Sequence, residues 1–256
     1  KVHSYNISIG IPFSEAKAEL FYLENYVRGI QEASRTDQSK LTSGHSYQTI
    51  EPGVAIQMNG TTENGIGKNQ AKKNDLIYLS KPLGTGYLLF AYYKNSSLLT
   101  SYDFQRLLSN LKMNNLGSVK AASLVQSRCM TDISGFGLAS HLGDICQSSN
   151  LSAKISLTKN ILINSNEAIL RKYQSTGYRN NFEAMSSYVD IKNKHIYENI
   201  LYDPQTNGPI LMVINSNKKN YFEKAYFDLN QSKPILIGSF IKYEKKLIHV
   251  NDFYDT

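Results

Sequence analysis

The sequence has few of the residues that build disulfide frameworks and transition-metal centres. It contains two cysteines, Cys129 and Cys146, in 256 residues. Two cysteines are too few for a disulfide framework and lack metal-ligand spacing, so we expect both to be small buried core residues. The five histidines, at positions 3, 45, 141, 195 and 249, show no H-x-x-x-H pairing. A zinc site is therefore not expected.

Long apolar runs are also lacking. The longest, residues 87–93, is far shorter than the roughly 18 residues that a membrane span needs. No basic and apolar leader is seen, and the first residue is Lys1 rather than Met, so we expect this end to be a boundary and not a natural start. These features predict a soluble, cytoplasmic protein with no membrane partner.

Charge and composition indicate a globular chain. Hydrophobic residues make up 41% of the sequence, which argues against wholesale disorder, and the length corresponds to roughly 1.7 domains. The formal charge of +7 permits an anionic partner, either nucleic acid or nucleotide phosphate. Because the basic residues lie in scattered pairs, such as Lys72-Lys73, we interpret them as solvated surface and expect no nucleic-acid partner.

The most informative stretch is residues 130–142, Met-Thr-Asp-Ile-Ser-Gly-Phe-Gly-Leu-Ala-Ser-His-Leu. A short extended segment delivers Asp132, and Gly135 and Gly137 bracket an aromatic ring just before an apolar-periodic helix. Such a turn exposes a carboxylate together with backbone N–H groups at a helix N-terminus. Asp132 therefore suits a divalent cation that carries phosphates. The alternative is that this acid only caps the helix or forms the turn.

Four stretches together resemble one family. Residues 131–142 are similar to the T-D-x-[TS]-G-F-G-L-x-G-H-L signature of selenophosphate synthetases, also called selenide, water dikinases. Residues 202–209, Tyr-Asp-Pro-Gln-Thr-Asn-Gly-Pro, resemble the D-P-Q-T-S-G-G loop of that family, residues 81–86 match its K-P-L-G-T-G turn, and residues 43–46 resemble its G-G-H-[ST] segment. All four occur in family order.

The resemblance implies an α+β fold with two domains, like that of aminoimidazole ribonucleotide synthetases. Residues 1–62 would be the C-terminal half of the N-terminal ATP-binding domain, and residues 63–256 a complete C-terminal domain with a mixed sheet and flanking helices. The implied activity is a phosphotransferase reaction that makes selenophosphate from ATP, selenide and water with Mg²⁺. The family pairs strands of its N-terminal domain, so a homodimer is expected.

The resemblance also implies roles for individual residues. Asp132 would be a metal ligand, and Gly44, His45 and Ser46 would contact nucleotide from a loop after a short strand. A polar turn with a structural histidine is the alternative for that segment. For residues 81–86 a structural turn is favoured over a phosphate contact, because the order of a P-loop is lacking. We expect His141 to be a packed, hydrogen-bonded histidine. Asp203 is expected to organise its own turn by bonding backbone N–H groups two residues on, the alternative being indirect support of the phosphate site.

The chain departs from the family at several points. Ser43, Asn207 and Pro209 stand where the family usually has Gly, Ser and Gly. The family's nucleophile loop and catalytic lysine would lie upstream of Lys1, so no catalytic residue is assigned here, and we expect the 256-residue chain alone not to make selenophosphate. A degenerate, noncatalytic homologue or scaffold domain is one alternative. Another ATP-dependent enzyme of the superfamily is a second, against which the Gly135-Phe136-Gly137 triplet argues.

Periodicity predicts the secondary structure. Alternating and short apolar segments predict strands, and helical spacing predicts helices. Residues 175–200 show no regular pattern and are expected to be irregular. The predicted strands are residues 4–9, 54–59, 76–80, 153–157, 210–214 and 235–241. One predicted helix ends near residue 34, and the other predicted helices are residues 87–94, 102–112, 116–126, 138–148, 166–173 and 218–229.

Overall fold

The computed structural model describes residues 2–12, 16–37, 39–62, 65–193 and 195–254. The chain forms two compact units, Lys1–Gly65 and Ile66–Thr256. The assignment of residues 1–62 to half of an ATP-binding domain and of residues 63–256 to a complete C-terminal domain stays a prediction.

The first unit is a three-stranded sheet with one helix against it. Its elements are β1 (Val2–Pro12), α1 (Ala16–Asp37), β2 (Lys40–Thr49) and β3 (Gly53–Gly60). β1 is the central strand, parallel to β2 and antiparallel to β3. Because β1 alternates apolar and polar residues, Tyr5, Ile7 and Ile9 all point to one face, where they pack against α1.

The second unit is built on a seven-stranded mixed sheet with the strand order β5-β8-β4-β9-β6-β10-β7. β10 is parallel to β6 and to β7, and the other pairs are antiparallel. The strands are β4 (Leu76–Leu79), β5 (Cys129–Asp132), β6 (Leu151–Thr158), β7 (Val189–Ile191), β8 (Ile210–Ile214), β9 (Ile235–Lys242) and β10 (Ile248–Tyr254). The helices are α2 (Thr85–Tyr93), α3 (Ser101–Lys112), α4 (Leu116–Leu124), α5 (Gly137–Ser149), α6 (Glu167–Lys172), α7 (Thr176–Met185) and α8 (Lys219–Asn230).

Both faces of this sheet are covered. In β4, Ile77 and Leu79 belong to the larger core cluster, whereas Tyr78 belongs to a second cluster. The second cluster contains Phe222 and Tyr226 of α8 and residues of α4. Because both faces of the sheet are packed, a strand such as β4 has apolar residues on both of its faces. The predicted α+β architecture, a mixed sheet with flanking helices, is confirmed.

The prediction that both cysteines are buried is confirmed, whereas the prediction of an irregular segment after α6 is wrong. Cys129 and Cys146 are fully buried free thiols, as predicted. Residues 175–200 are not irregular, so that prediction was wrong. They contain α7, the short strand β7 and two 3₁₀ turns. The segment was misjudged because α7 is short and mostly polar, so that its apolar residues, Tyr178, Phe182 and Met185 at i, i+4 and i+7, give only a brief helical period.

Candidate functional site

Asp132 is the last residue of β5, the edge strand beside β8. Its register partner is Ile210. The side chain is exposed, and among the described residues no group donates a hydrogen bond to its carboxylate. The turn therefore presents a carboxylate to solvent, as the sequence predicted. Its role as a metal ligand stays a prediction.

The turn after Asp132 is held by backbone hydrogen bonds to residues 205–209. The N–H of Ile133 donates to the carbonyl of Pro209 at 2.9 Å, and the N–H of Gln205 donates to the carbonyl of Ser134 at 3.0 Å. The N–H of Gly137 donates to the same Ser134 carbonyl at 3.0 Å. The direction in which Asp132 leaves the sheet is thus fixed by a segment that lies more than 70 positions further along the chain.

Asn181 of α7 adds a side-chain contact to this turn. Its Nδ2 atom donates to the carbonyl oxygens of Gly135 and Tyr202, each at 2.9 Å. Asn181 is buried, so one buried amide satisfies both carbonyls. The neighbouring Phe182 packs edge-on against Tyr202, with ring centroids 5.1 Å apart. The Asn-Phe pair thus ties α7 to both motifs.

His141 lies one turn into α5 and faces back toward Ser134. The Nε2 atom of His141 is 3.3 Å from the backbone N of Ser134 and 3.3 Å from its hydroxyl oxygen. The histidine is buried, and burial together with Lys68 lowers its pKa, whereas Asp132 and Asp144 act in the opposite direction. The expectation of a packed, hydrogen-bonded histidine is confirmed.

Two glycines permit the close approach of these segments. Gly137 has a φ of +73°, the left-handed region that favours glycine. A Cβ atom on Gly208 would lie 2.0 Å from the carbonyl oxygen of Ile133. The segments could not approach this closely with a larger residue at position 208.

The 81–86 turn is held by the side chains of Asp203 and Gln205. Gln205 Oε1 accepts hydrogen bonds from the N–H groups of Gly84 (2.9 Å) and Thr85 (3.2 Å). One carboxylate oxygen of Asp203 accepts from the N–H groups of Gly86 (3.2 Å) and Tyr87 (3.3 Å). The first N–H groups of α2 are thereby occupied by protein groups and not left for phosphate. The prediction that this turn is structural is confirmed.

Asp203 contacts its own turn through the side chain of Gln205 but does not accept from the backbone N–H two residues on, which donates to Ser134, so the expected way of organising the turn was wrong. Its backbone partners lie more than 100 positions away, because the loop folds onto the start of α2. The same oxygen accepts from Gln205 Nε2 at 2.9 Å. Complete burial raises the pKa of this carboxyl to about 7, against the three donors, which act to lower it.

Lys81 and Asn207 both act at the C-terminal end of α3. Lys81 is buried, and its ammonium donates to the carbonyls of Asn110 (3.1 Å) and Met113 (2.8 Å). Burial lowers the pKa of Lys81 to about 8. Asn207, at a φ of +45°, donates from Nδ2 to the carbonyls of Leu111 and Met113. Asn207 therefore has a structural role at a position where the family usually has Ser.

Gly44, His45 and Ser46 lie within β2 in the first unit, so the predicted loop, and with it the alternative of a polar turn, was wrong. A strand forms here because residues 43–49 pair continuously with β1. Gly44 and Ser46 pair with Ile7 and Ile9 and share their face, whereas His45 points to the opposite face. Ser43 is not among the described residues with positive φ, so it carries no left-handed strain.

In the described part of the chain, no group of three or more His, Cys, Asp or Glu side chains could hold a metal ion. Asp132 therefore belongs to no such group among these residues. Three of the four sequence motifs, residues 81–86, 131–142 and 202–209, meet in one hydrogen-bonded network in the second unit. The sequence did not identify Asn181 and Gln205 as the polar groups that connect this network, although Gln205 lies in a stretch that resembles the family.

No helix among the described residues is long and apolar enough to cross a membrane. The sheet, the two helical layers and the turn define an α+β domain of the kind found in AIR synthase related proteins. Residues 72–217 match the family model described as AIR synthase related protein, C-terminal domain. Because the match covers more than half of the chain, this protein belongs to that family.

Among curated proteins, the chain is similar to the selenide, water dikinase of Shewanella sp. (strain MR-7). The two are 29% identical over 235 residues, which cover 90% of this chain and 65% of that relative. The chain thus spans just under two thirds of the length of this relative. Relatives of this name support a kinase-like family.

Solved structures share the fold. The thiamine-monophosphate kinase of Stenotrophomonas maltophilia K279a has a TM-score of 0.69 at 15% identity, covering 97% of this chain and 72% of that chain. The hydrogenase maturation protein HypE in complex with ATP has a TM-score of 0.63 at 13% identity, covering 96% of this chain and 67% of that chain. The predicted AIR synthase-like fold is thereby confirmed.

Proposed function

We propose that this chain is part of a selenide, water dikinase that binds ATP with Mg²⁺, Asp132 being a metal ligand. The observation that carries the proposal is the geometry of Asp132. Its carboxylate is exposed, accepts no hydrogen bond from the described residues, and stands on a turn that several long-range hydrogen bonds hold. A carboxylate whose only role was to stabilise the local backbone would accept hydrogen bonds from nearby N–H groups. Similarity to relatives named selenide, water dikinase supports the choice of substrate.

The chemistry assigned to Asp132 is electrostatic. A magnesium ion bound there would neutralise phosphate charge and orient the transferred group. One carboxylate is not enough for such an ion, which is normally shared among several oxygen ligands. We therefore propose that the remaining ligands, the nucleophile and the catalytic lysine come from parts of the parent protein beyond this chain.

Gly44, His45 and Ser46 are proposed nucleotide contacts. Because they alternate along β2, His45 would act on one face of the sheet, and Gly44 and Ser46 on the other. The side chain of His45 is exposed and stacks at a distance of 6.4 Å between ring centroids with Tyr47. This arrangement favours a ring contact from His45 and backbone or hydroxyl contacts from the other two.

A homodimer through the first unit belongs to the same proposal. β2 and β3 are the edges of its sheet, and Leu41, Val54, Ile56 and Met58 are exposed. Unpaired edges with exposed apolar side chains invite strand pairing. Light scattering after gel filtration should show a dimer, and Ile56→Lys should shift it toward monomer. A wild-type chain that stays monomeric at high concentration would contradict this part.

The test of the metal role is a titration calorimetry experiment with a non-hydrolysable ATP analogue in Mg²⁺. Wild type should bind, and Asp132→Asn should bind at least tenfold more weakly because the ligand charge is lost. Asp228→Asn is the matched control, since Asp228 is an exposed acid on α8, and it should leave affinity unchanged. Equal binding by wild type and Asp132→Asn would refute the assignment.

A noncatalytic scaffold domain is the second candidate. It is favoured by the α2 turn, whose first N–H groups are already occupied by Asp203 and Gln205, and by the single acid at the turn. A scaffold should show no Asp132-dependent nucleotide binding in the same titration. The experiment therefore separates the two functions.

A further inference from the structure

The buried imidazole of His141 makes its contacts with the turn that carries Asp132. It is 8% exposed, and its Nε2 atom lies 3.3 Å from the backbone N of Ser134. A backbone N–H can only donate, so Nε2 must be the bare, accepting nitrogen and the proton must be on Nδ1. The hydroxyl of Ser134, also 3.3 Å away, can share this acceptor by donating its own hydrogen.

The other ring nitrogen has no such partner. Nδ1 of His141 is a buried atom without a hydrogen bond among the described residues. A buried donor without a partner costs about 1–3 kcal/mol, so the histidine is poorly suited as a simple core residue. An apolar side chain would pack at this place without that cost, but it could not accept the N–H of Ser134.

We infer that His141 is a positioning residue: through Nε2 it holds the N–H of Ser134, and so fixes the turn that aims Asp132 at its ligand. Two other contacts of the turn also meet at Ser134, because its carbonyl accepts from Gln205 and Gly137. With the N–H also held, both polar backbone groups of Ser134 are fixed. This inference rests on the proposed function for its ligand, magnesium nucleotide, but the hold on the turn is a separate property.

The hydrogen bond from the Ser134 N–H to His141 Nε2 is tested by NMR without any ligand. The ¹⁵N shifts of His141 should show the neutral tautomer with the proton on Nδ1, and the Ser134 amide should exchange slowly with solvent. In His141→Leu the amide should exchange at least tenfold faster, whereas in His141→Gln, whose amide oxygen can replace Nε2, it should stay protected. The opposite tautomer, or an equally protected Ser134 amide in His141→Leu, would overturn the inference.

The consequence for Asp132 is tested by titration with Mg²⁺ and the ATP analogue. His141→Leu should weaken binding at least tenfold, His141→Gln should restore it to within about threefold, and Ser134→Ala, which keeps the N–H, should behave like wild type. The melting temperature of His141→Leu should change little, since the unpartnered donor is removed as well. His249→Leu, a loss of another partly buried histidine on β10, is the control and should bind normally.

The possible failures are distinguishable. If wild type binds no nucleotide, or if Asp132→Asn binds as wild type does, the proposed function fails while the Ser134 exchange data still decide the role of His141. If binding depends on Asp132 but His141→Leu binds normally, the inference about His141 fails and the proposed function stands.

Discussion

One carboxylate oxygen of Asp203 lies 3.2 Å from the backbone N of Gly86, which precedes it in the chain by 117 positions. The same oxygen accepts hydrogen bonds from Tyr87 and Gln205. This contact joins the loop of residues 202–209 to the first turn of α2. The loop in turn supports the Asp132 turn, so a single buried acid connects three sequence motifs.

Two substitutions of Asp203 should separate the contribution of its hydrogen-bond acceptor from that of its negative charge. Asp203→Ala leaves the N–H groups of Gly86 and Tyr87 without an acceptor and removes one of the two acceptors of Gln205 Nε2, which should cost about 3 kcal/mol of unfolding free energy. Asp203→Asn keeps an acceptor oxygen at the same place and should cost far less near neutral pH. Urea unfolding at pH 7.5 measures both, and equal losses in the two variants would contradict this account.

The charge of Asp203 should make stability depend on pH. Its pKa in the fold, about 7, is above the ordinary value of 3.8, so the folded protein holds the proton more tightly than the unfolded chain. The favourable contribution is complete below pH 4 and is lost as pH rises to about 7, by up to about 4 kcal/mol. Asp203→Asn lacks this pH-dependent contribution to the free energy of unfolding. Its stability relative to wild type should therefore improve between pH 4 and pH 8, which urea unfolding across that range can measure.

Gly208→Ala should disturb the Asp132 turn. The added Cβ would lie 2.0 Å from the carbonyl oxygen of Ile133, so the backbone must move, at a cost of about 3 kcal/mol or more. Gly135→Ala is the control, because a Cβ there meets no atom within 4 Å and should change stability by less than about 0.5 kcal/mol. Thermal unfolding compares the two, and a harmless Gly208→Ala would show that the close approach is not required.

Asn181→Ala should destabilise the same turn from the side of α7. It leaves the carbonyls of Gly135 and Tyr202 without the Nδ2 donor, with an expected loss of about 2–3 kcal/mol. Asn180 is the exposed neighbour, and Asn180→Ala should be within about 0.5 kcal/mol of wild type. Urea unfolding of both variants gives the comparison. Similar values for the two would mean that α7 does not support the turn.

The cysteines provide a probe of global unfolding. Both thiols are fully buried, and burial raises the pKa of Cys146 to about 12, so neither should react as a thiolate in the native state. A thiol reagent at pH 8 should label them only as fast as the protein opens, and urea should make both react at once. Rapid labelling of the native protein would show that the core near β5 or α5 opens locally.

Much of the fold was predictable because it depends on local periodicity. The alternation at residues 4–9 and 54–59 marks strands that have one apolar face, and the helical spacing of 138–148 marks a helix whose buried side chains include Leu138, Leu142 and Ile145. The same reasoning failed for Gly44 to Ser46, because a polar, glycine-containing segment can still be a strand when a neighbouring strand pairs with its backbone. It failed for α7 because the helix is short and mostly polar, so that Tyr178, Phe182 and Met185 give only a brief helical period.

The sequence by itself determined the family resemblance, the order of most strands and helices along the chain, and the exposure of Asp132 at a glycine-bordered turn. These depend on short motifs and on which residues alternate, and both can be read from neighbouring positions. Only the tertiary structure decided the partners of Asp203, Gln205, Asn181 and His141. Most of those hydrogen bonds join segments that are distant in sequence and meet only when the whole sheet folds. For His141, the structure shows which ring nitrogen accepts the hydrogen bond. No local sequence pattern encodes these two properties.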